Sequence, residues 1–205
     1  MRLKGKIAVV TGAGGGIGRA VARRFAEEGA TVIVTDLNED NARAVCNEIQ
    51  SQYRCDALAL KTDVTSPEEI RACVQEVLTR FGRIDILVNN AGGSAGLLNK
   101  LTDFAESEPH VWNWVLQLNL HGSMHFVREV LPGMLMQKSG KIINVFSIAA
   151  LVGIRQRADY SAAKAGMLAF SKTIAMEAGP NNVQINCVLP GMVERAPAGT
   201  EEAEQ

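Results

Sequence analysis

The 205-residue sequence lacks several features that would have placed it in other classes. Its four cysteines, Cys46, Cys55, Cys73 and Cys187, stand far apart with no C-x-x-C pair. That argues against a zinc ribbon or a disulfide-stapled secreted scaffold and for reduced, small apolar residues of a cytoplasmic protein. Histidine is scarce, at three residues. His121 and His125 stand one helical turn apart, but the glutamate of H-E-x-x-H is missing, so no metal site is expected. An excess of one charge is missing too: 21 basic residues face 22 acidic ones, for a net charge of −1. Neither a nucleic acid nor an anionic membrane surface would find a basic field to bind. No apolar run approaches the ~20 residues that span a bilayer, and Met1-Arg2-Leu3-Lys4-Gly5-Lys6 leads into no signal-peptide core. What remains is a globular chain, 47% hydrophobic, long enough for one well-buried domain and short for two.

The most informative stretch is Ile7 to Gly18, IAVVTGAGGGIG. Ile7, Ala8, Val9 and Val10 form the continuous apolar run of a strand buried on both faces. Gly12, Gly14, Gly15, Gly16 and Gly18 follow, and then Ile17, Ala20, Val21, Ala22, Phe25 and Ala26 recur at helical spacing. A glycine-rich turn between a strand and a helix start gathers backbone N–H groups and the positive end of the helix dipole at one point, a seat for a diphosphate. The spacing is T-G-x-x-x-G-x-G rather than G-x-G-x-x-G, and no Gly-Lys-Ser/Thr closes it as a P-loop. Standing alone, such a turn is also compatible with binding nothing.

The same alternation continues down the chain. Ala30–Asp36 reads as a second strand ending in an acid, and Asp36 follows Gly18 by 18 residues. That is close to the ~20 at which a carboxylate grips adenosine ribose hydroxyls. Further strands are expected at 55–62, 84–89, 141–146 and 183–189, with helices at 38–52, 66–81, 110–137 and 158–178. Ser66, Pro67 and Glu69 form a capping-box pattern. Six βα alternations without a linker predict an α/β fold, a doubly wound parallel sheet between two helical layers. In such sheets ligands bind at the carboxyl ends of the strands, where the glycine turn, Asp36, Asp63, Asn90, Ser147 and Pro190-Gly191 all fall.

Tyr160 and Lys164 supply a reaction. Spaced i, i+4, they share a helix face, and an ammonium beside a phenol favours the phenolate. A phenol so placed is suited to proton transfer near neutral pH. Ser147, at the end of the neighbouring strand, is positioned to donate to the same substrate oxygen. Y-x-x-x-K alone arises by chance on many helices; its weight comes from the company it keeps.

The set Thr11-Gly12-x-x-x-Gly16-x-Gly18, Asp63-Val64, Asn89-Asn90-Ala91-Gly92, Asn119, Ser147, Tyr160-x-x-x-Lys164 and Pro190-Gly191 resembles the short-chain dehydrogenase/reductase family, in order, from residue 5 to about 193. The resemblance implies a Rossmann-type fold and hydride transfer between a nicotinamide and a carbonyl or alcohol. It implies Tyr160 as general acid/base, Lys164 on the nicotinamide ribose, Ser147 orienting the carbonyl, and Asn119 holding a water that relays protons to Lys164. Cofactor contacts carried over with it are Gly12, Gly14, Gly15, Gly16, Ile17, Gly18, Asp36, Asp63, Val64, Asn90, Tyr160, Lys164, Pro190 and Gly191. A carboxylate at 36 accepts from both ribose hydroxyls of NAD and would repel a 2′-phosphate, so NAD is the expected cofactor.

Members of the family usually continue past Pro190-Gly191 with a threonine, a helical lid and a seventh strand; here Arg195 stands about where the threonine would be, and the sequence ends at Gln205. The expectation is a dinucleotide-binding domain over 1–193 with six strands and a polar, mobile tail over 194–205. Cofactor binding should then survive better than turnover. The rival reading is a dinucleotide-binding or interaction module of weak catalysis. A dimer is expected through the helices carrying Asn119 and Tyr160, with Trp112, Trp114, Phe126, Met134 and Met136 as candidates. Leu97, Leu98, Leu101, Leu151, Val152 and Ile154 suggest an apolar small-molecule substrate.

Overall fold

The computed structural model describes residues 1–193; the expected tail at 194–205, and with it Arg195, lies outside the described residues. Six strands form one parallel sheet: β1 (Ile7–Thr11), β2 (Thr31–Asp36), β3 (Ala57–Lys61), β4 (Ile86–Asn89), β5 (Gly140–Val145) and β6 (Val183–Val188). Their spatial order is β3-β2-β1-β4-β5-β6. The order reverses between β1 and β4, which opens a crevice above their carboxyl ends.

Among the described residues seven helices accompany them: α1 (Gly16–Glu27), α2 (Glu39–Tyr53), α3 (Pro67–Phe81), α4 (Pro109–Leu116), α5 (Gly122–Gln137), α6 (Ala149–Val152) and α7 (Ala158–Ala178). Because strand side chains alternate, β1 feeds both cores. Ala8 and Val10 meet Ala22 and Ala26 of α1 and Val45 and Ile49 of α2. Val9 meets the opposite core, where Ile70, Val74 and Val77 of α3 join Phe126, Val130 and Met134 of α5. Every residue of β1 is buried, as its unbroken apolar run requires.

Local signals set the boundaries. Asn38 caps α2 by accepting the Asn41 N–H, and Ser66 caps α3 through the Glu69 N–H, with Pro67 at the first turn. The capping box is only half made. The Glu69 carboxylate accepts the Asp63 N–H at 2.8 Å and so reaches past the cap to the strand end.

Three stretches differ from expectation. The single helix foreseen over 110–137 is α4, a π-helical segment Gln117–His121, and α5. Residues 149–152 form the short helix α6, and the looser stretch before α4 holds 3-10 turns at Ala95–Leu98 and Phe104–Glu106. The candidate dimer stripe does not share one surface. Phe126 and Met134 are core residues, no more than 1% exposed, whereas Met136 is 84% exposed. Helical spacing places them a fraction of a turn apart, enough to send them to opposite faces. No helix among the described residues is long and apolar enough to cross a membrane.

Candidate active site

The glycine turn leaves β1 and enters α1 against its neighbours. A Cβ on Gly18 would stand 2.3 Å from the Gly12 carbonyl and 2.6 Å from Asn90 Nδ2, so the helix packs on the turn with no room for a side chain. Gly15 is the opposite case: a Cβ there meets nothing within 4 Å. It caps α1 without a side-chain hydrogen bond, and the first turn of α1 has no acidic residue. By contrast α2 and α3 each have a side-chain cap and two acids in the first turn. The N–H groups at the start of α1 are therefore left for an outside anion, with Ile17 partly exposed beside them. This cradle fits a dinucleotide diphosphate.

Asp36 closes the turn from β2. Its Oδ2 accepts the Gly14 N–H at 2.9 Å and its Oδ1 the Asn38 N–H at 3.0 Å. Two backbone donors fix the carboxylate plane, and each oxygen keeps a lone pair for a ribose hydroxyl. Asp63 is oriented similarly, its Oδ1 accepting the Thr65 N–H at 2.8 Å and the Thr65 hydroxyl at 2.7 Å. Val64 is only 8% exposed, and its side chain belongs to the core. What it can present to the crevice is an edge rather than a surface.

Asn90 is first a brace. Its Nδ2 donates to the carbonyls of Thr11 at 2.9 Å and Gly12 at 3.0 Å, which ties the end of β4 to the turn. Thr11, read from the sequence as the opening residue of the glycine motif but given no role of its own, is the other half of this joint. Its hydroxyl accepts the N–H groups of Asn90 and Ala91, both at 3.0 Å. A hydroxyl residue closing an apolar strand just before the first glycine was the available signal.

The π segment explains Asn119. Its Nδ2 donates to Gly93 O at 2.7 Å and Val115 O at 2.9 Å, and its Oδ1 accepts the Gly93 N–H at 3.1 Å. The 1% exposed side chain thus stitches a distorted helix to the loop after β4. Next to it lies Lys164, 4% exposed. The Lys164 Nζ stands 3.3 Å from Val145 O and 5.5 Å from the centre of the Tyr160 ring. A Cβ on Gly92 would reach within 3.1 Å of the same Nζ, so the strand end is bare where the ammonium sits. Burial pushes the Lys164 ammonium down from 10.5 to about 8. Tyr160 packs with Trp114 against Ala95, Val111 and Val115. The shared face foreseen for Tyr160 and Lys164 is present.

Ser147 follows β5, and its Oγ accepts the Ala149 N–H at 3.2 Å as α6 begins. The end of β6 is drawn to the same corner: Pro190 O accepts the Ile148 N–H at 3.0 Å, and Gly191 follows it. Between Thr102–Trp112 and Ile154–Asp159 lies a cavity of about 350 Å³, whose lining includes none of Ser147, Tyr160 and Lys164. Phe104 and Trp112 stack in its wall with ring centres 4.9 Å apart. Arg155 pairs with Asp103 at 3.1 Å and Lys100 with Glu108 at 3.0 Å, so its cations are neutralised. Of the six apolar residues named from the sequence, Ile154 lines this cavity. All six are exposed, from Leu101 at 37% to Val152 at 71%.

A doubly wound sheet with a glycine cradle at its switch point and a Tyr–Lys pair on the adjoining helix defines an oxidoreductase that binds a nicotinamide dinucleotide. The short chain dehydrogenase family model matches residues 6–205, and the chain belongs to that family. Among its relatives, the 3-oxoacyl-[acyl-carrier-protein] reductase FabG of Thermotoga maritima is 37% identical over 195 residues, covering 95% of this chain and 76% of the relative. The protein of the same name from Vibrio cholerae is 40% identical over 194 residues, with the same coverage. Among solved structures, NAD+-bound xylitol dehydrogenase superposes with a TM-score of 0.88 at 32% identity, covering 93% of this chain and 72% of that one. A short-chain dehydrogenase/reductase from Burkholderia xenovorans gives 0.88 at 34% identity, covering 95% and 77%.

Proposed function

We propose that this oxidoreductase transfers a hydride between NAD(H) and a secondary alcohol or ketone, with Tyr160 as general acid/base. The observation that carries this reading is the buried Lys164 ammonium, set between the bare Gly92, the Val145 carbonyl and the Tyr160 ring. In that place its charge stands 5.5 Å from the centre of the Tyr160 ring, close enough to stabilise negative charge that develops on the phenol oxygen while a proton is transferred. Ser147 donates to the substrate oxygen, and Asn119 holds the loop through Gly93 and joins the proton path toward Lys164. Gly12, Gly14, Gly15, Gly16, Ile17 and Gly18 hold the dinucleotide diphosphate. Asp36 holds the adenosine ribose, Asp63 and Val64 flank the adenine, and Asn90, Pro190 and Gly191 shape the remaining walls. The bound dinucleotide supplies the hydride acceptor or donor at its nicotinamide ring.

The preference for NAD rests on Asp36, a fixed carboxylate with no nearby cation contributed by Gly15, Thr35 or Leu37. The NAD+-bound state of xylitol dehydrogenase, a structural neighbour, is consistent with it. Turnover of a ketone panel should be at least tenfold higher in kcat/KM with NADH than with NADPH, about the effect of one like-charge clash. Equal rates with both would reject the preference. The cavity walled by Phe104, Trp112 and Ile154 favours substrates with an apolar arm.

We further infer that residues 1–193 act as one dinucleotide-binding unit in the cytoplasm. Two cores share one sheet, and the buried Cys46 and Cys73 thiols are pushed up to about 11 and are chemically quiet. The inferred assembly is a homodimer, supported by Met124 and Met136 of α5 and Met176 of α7, which stay exposed.

A further inference from the structure

Beneath the catalytic face runs a buried polar chain that the proposed chemistry does not use. Asn89 of β4 and Asn144 of β5 stand opposite each other in the parallel register. Asn89 Nδ2 donates to Asn144 Oδ1 at 2.8 Å, and Asn144 Nδ2 donates to Ser171 Oγ on α7, also at 2.8 Å. Ser171 Oγ donates in turn to Met167 O at 2.8 Å, and Cys187 of β6 is hydrogen-bonded to Ser171 as well. Asn144 is wholly buried, Ser171 is 1% exposed and Asn89 is 3% exposed. Asn89 Oδ1 finds no partner.

Apolar side chains would fill this space with less desolvation cost, so the polar set must specify something that packing alone does not. What it specifies is register. Asn144 of β5 and Cys187 of β6 meet at one hydroxyl of α7, to which Asn89 of β4 is linked through Asn144, and that hydroxyl lies two turns from Lys164, ~10 Å along the helix. Lys164 and Ser171 face the same side of α7 and are anchored to adjacent β5 residues, Val145 and Asn144. Asn89 sits at the foot of the strand end whose Gly92 and Gly93 meet Lys164 and Asn119.

We propose that Asn89, Asn144 and Ser171 form a positioning network that locks α7 against the sheet and so fixes where Tyr160 and Lys164 stand relative to Ser147. This rests on the oxidoreductase reading for its effect on turnover, but not for its effect on Lys164 itself. A sliding helix slackens the packing around Nζ, and burial is the sole cause of the lowered Lys164 titration. The titratable group facing that atom is Tyr160 on the same helix, with its ring centre 5.5 Å away; the groups from other elements, Gly92, Asn119 and the Val145 carbonyl, do not titrate.

The test is Ser171→Ala in the full chain, with Ser171→Thr as the variant that keeps the hydroxyl. Two quantities are read: kcat with NADH and a ketone, and the Lys164 titration without cofactor, followed by NMR of ¹³C-labelled lysine. Ser171→Ala should lower kcat on the order of tenfold, leave NADH affinity within twofold, and move the Lys164 titration upward; Ser171→Thr should restore most of both. If Ser171→Ala proves insoluble, Ser171→Cys under reductant carries the same comparison, a thiol being a far weaker acceptor. A folded variant with unchanged kcat and unchanged Lys164 titration, only melting lower, would overturn the proposal. A wild type without turnover whose Lys164 still responds to Ser171→Ala would sink the oxidoreductase reading and leave the positioning role standing.

Discussion

Lys164 is the residue at which stability and activity pull apart. A cation 4% exposed, with one carbonyl at 3.3 Å, carries a desolvation cost that little in the described structure offsets. Its titration falls from 10.5 to about 8. Between those values the unfolded chain binds a proton that the folded chain does not, so stability rises with pH across that window. Below about pH 8 both states are protonated and the full penalty is present, on the order of 3 kcal/mol for a displacement of that size. Lys164→Met, which fills the same space without charge, should therefore raise the stability of the cofactor-free protein by roughly 1–3 kcal/mol at pH 7. The gain, read from urea midpoints, should fade toward pH 10.5 while turnover is lost at every pH. A variant less stable than wild type at pH 7 would contradict this reading of the site.

Among the elements, the turn into α1 was the most legible and the helix through Asn119 the least. Glycine spacing after an apolar strand marked the turn, because few other functions need so many residues without side chains in so short a span. The structure separates two roles inside it. Gly18→Ala places a methyl 2.3 Å from the Gly12 carbonyl and should cost ~3 kcal/mol or more or prevent folding. Gly15→Ala meets no protein atom. It should stay folded, within about 1 kcal/mol of wild type as judged by denaturant midpoint, and lose tenfold or more in NADH affinity. Equal NADH binding by Gly15→Ala and wild type would move the diphosphate elsewhere. The π segment left no such mark. Leu116 to Gly122 holds no proline to break the helix, and the break is sustained by three hydrogen bonds from one asparagine to partners 4 and 26 residues away. Asn144 was invisible for a related reason. Inside Ile142-Ile143-Asn144-Val145 it reads as a lone polar interruption, and only its partners on β4 and α7 give it meaning.

At the scale of the whole molecule, the six-strand parallel sheet and the strand ends that form the site were readable because each βα unit repeats one local rule and parallel crossovers share one hand. The surfaces were not. Phe126 and Met134 looked available for a partner and are core, while Leu97, Phe104, Leu151 and Val152 remain exposed around the catalytic corner at 59–71%. Burial of that kind depends on which elements meet. The inferred homodimer is checked by sedimentation at micromolar concentration, where a species of twice the 22.0 kDa chain mass is expected and a lone monomer would refute it.

The central claim is that Tyr160 moves the proton while other residues hold the cofactor. It is tested most directly by measuring NADH binding and ketone turnover side by side for wild type and Tyr160→Phe. Loss of the hydroxyl should lower kcat by three orders of magnitude or more, while the NADH dissociation constant stays within about threefold. A Tyr160→Phe enzyme that turns over within tenfold of wild type would contradict the account.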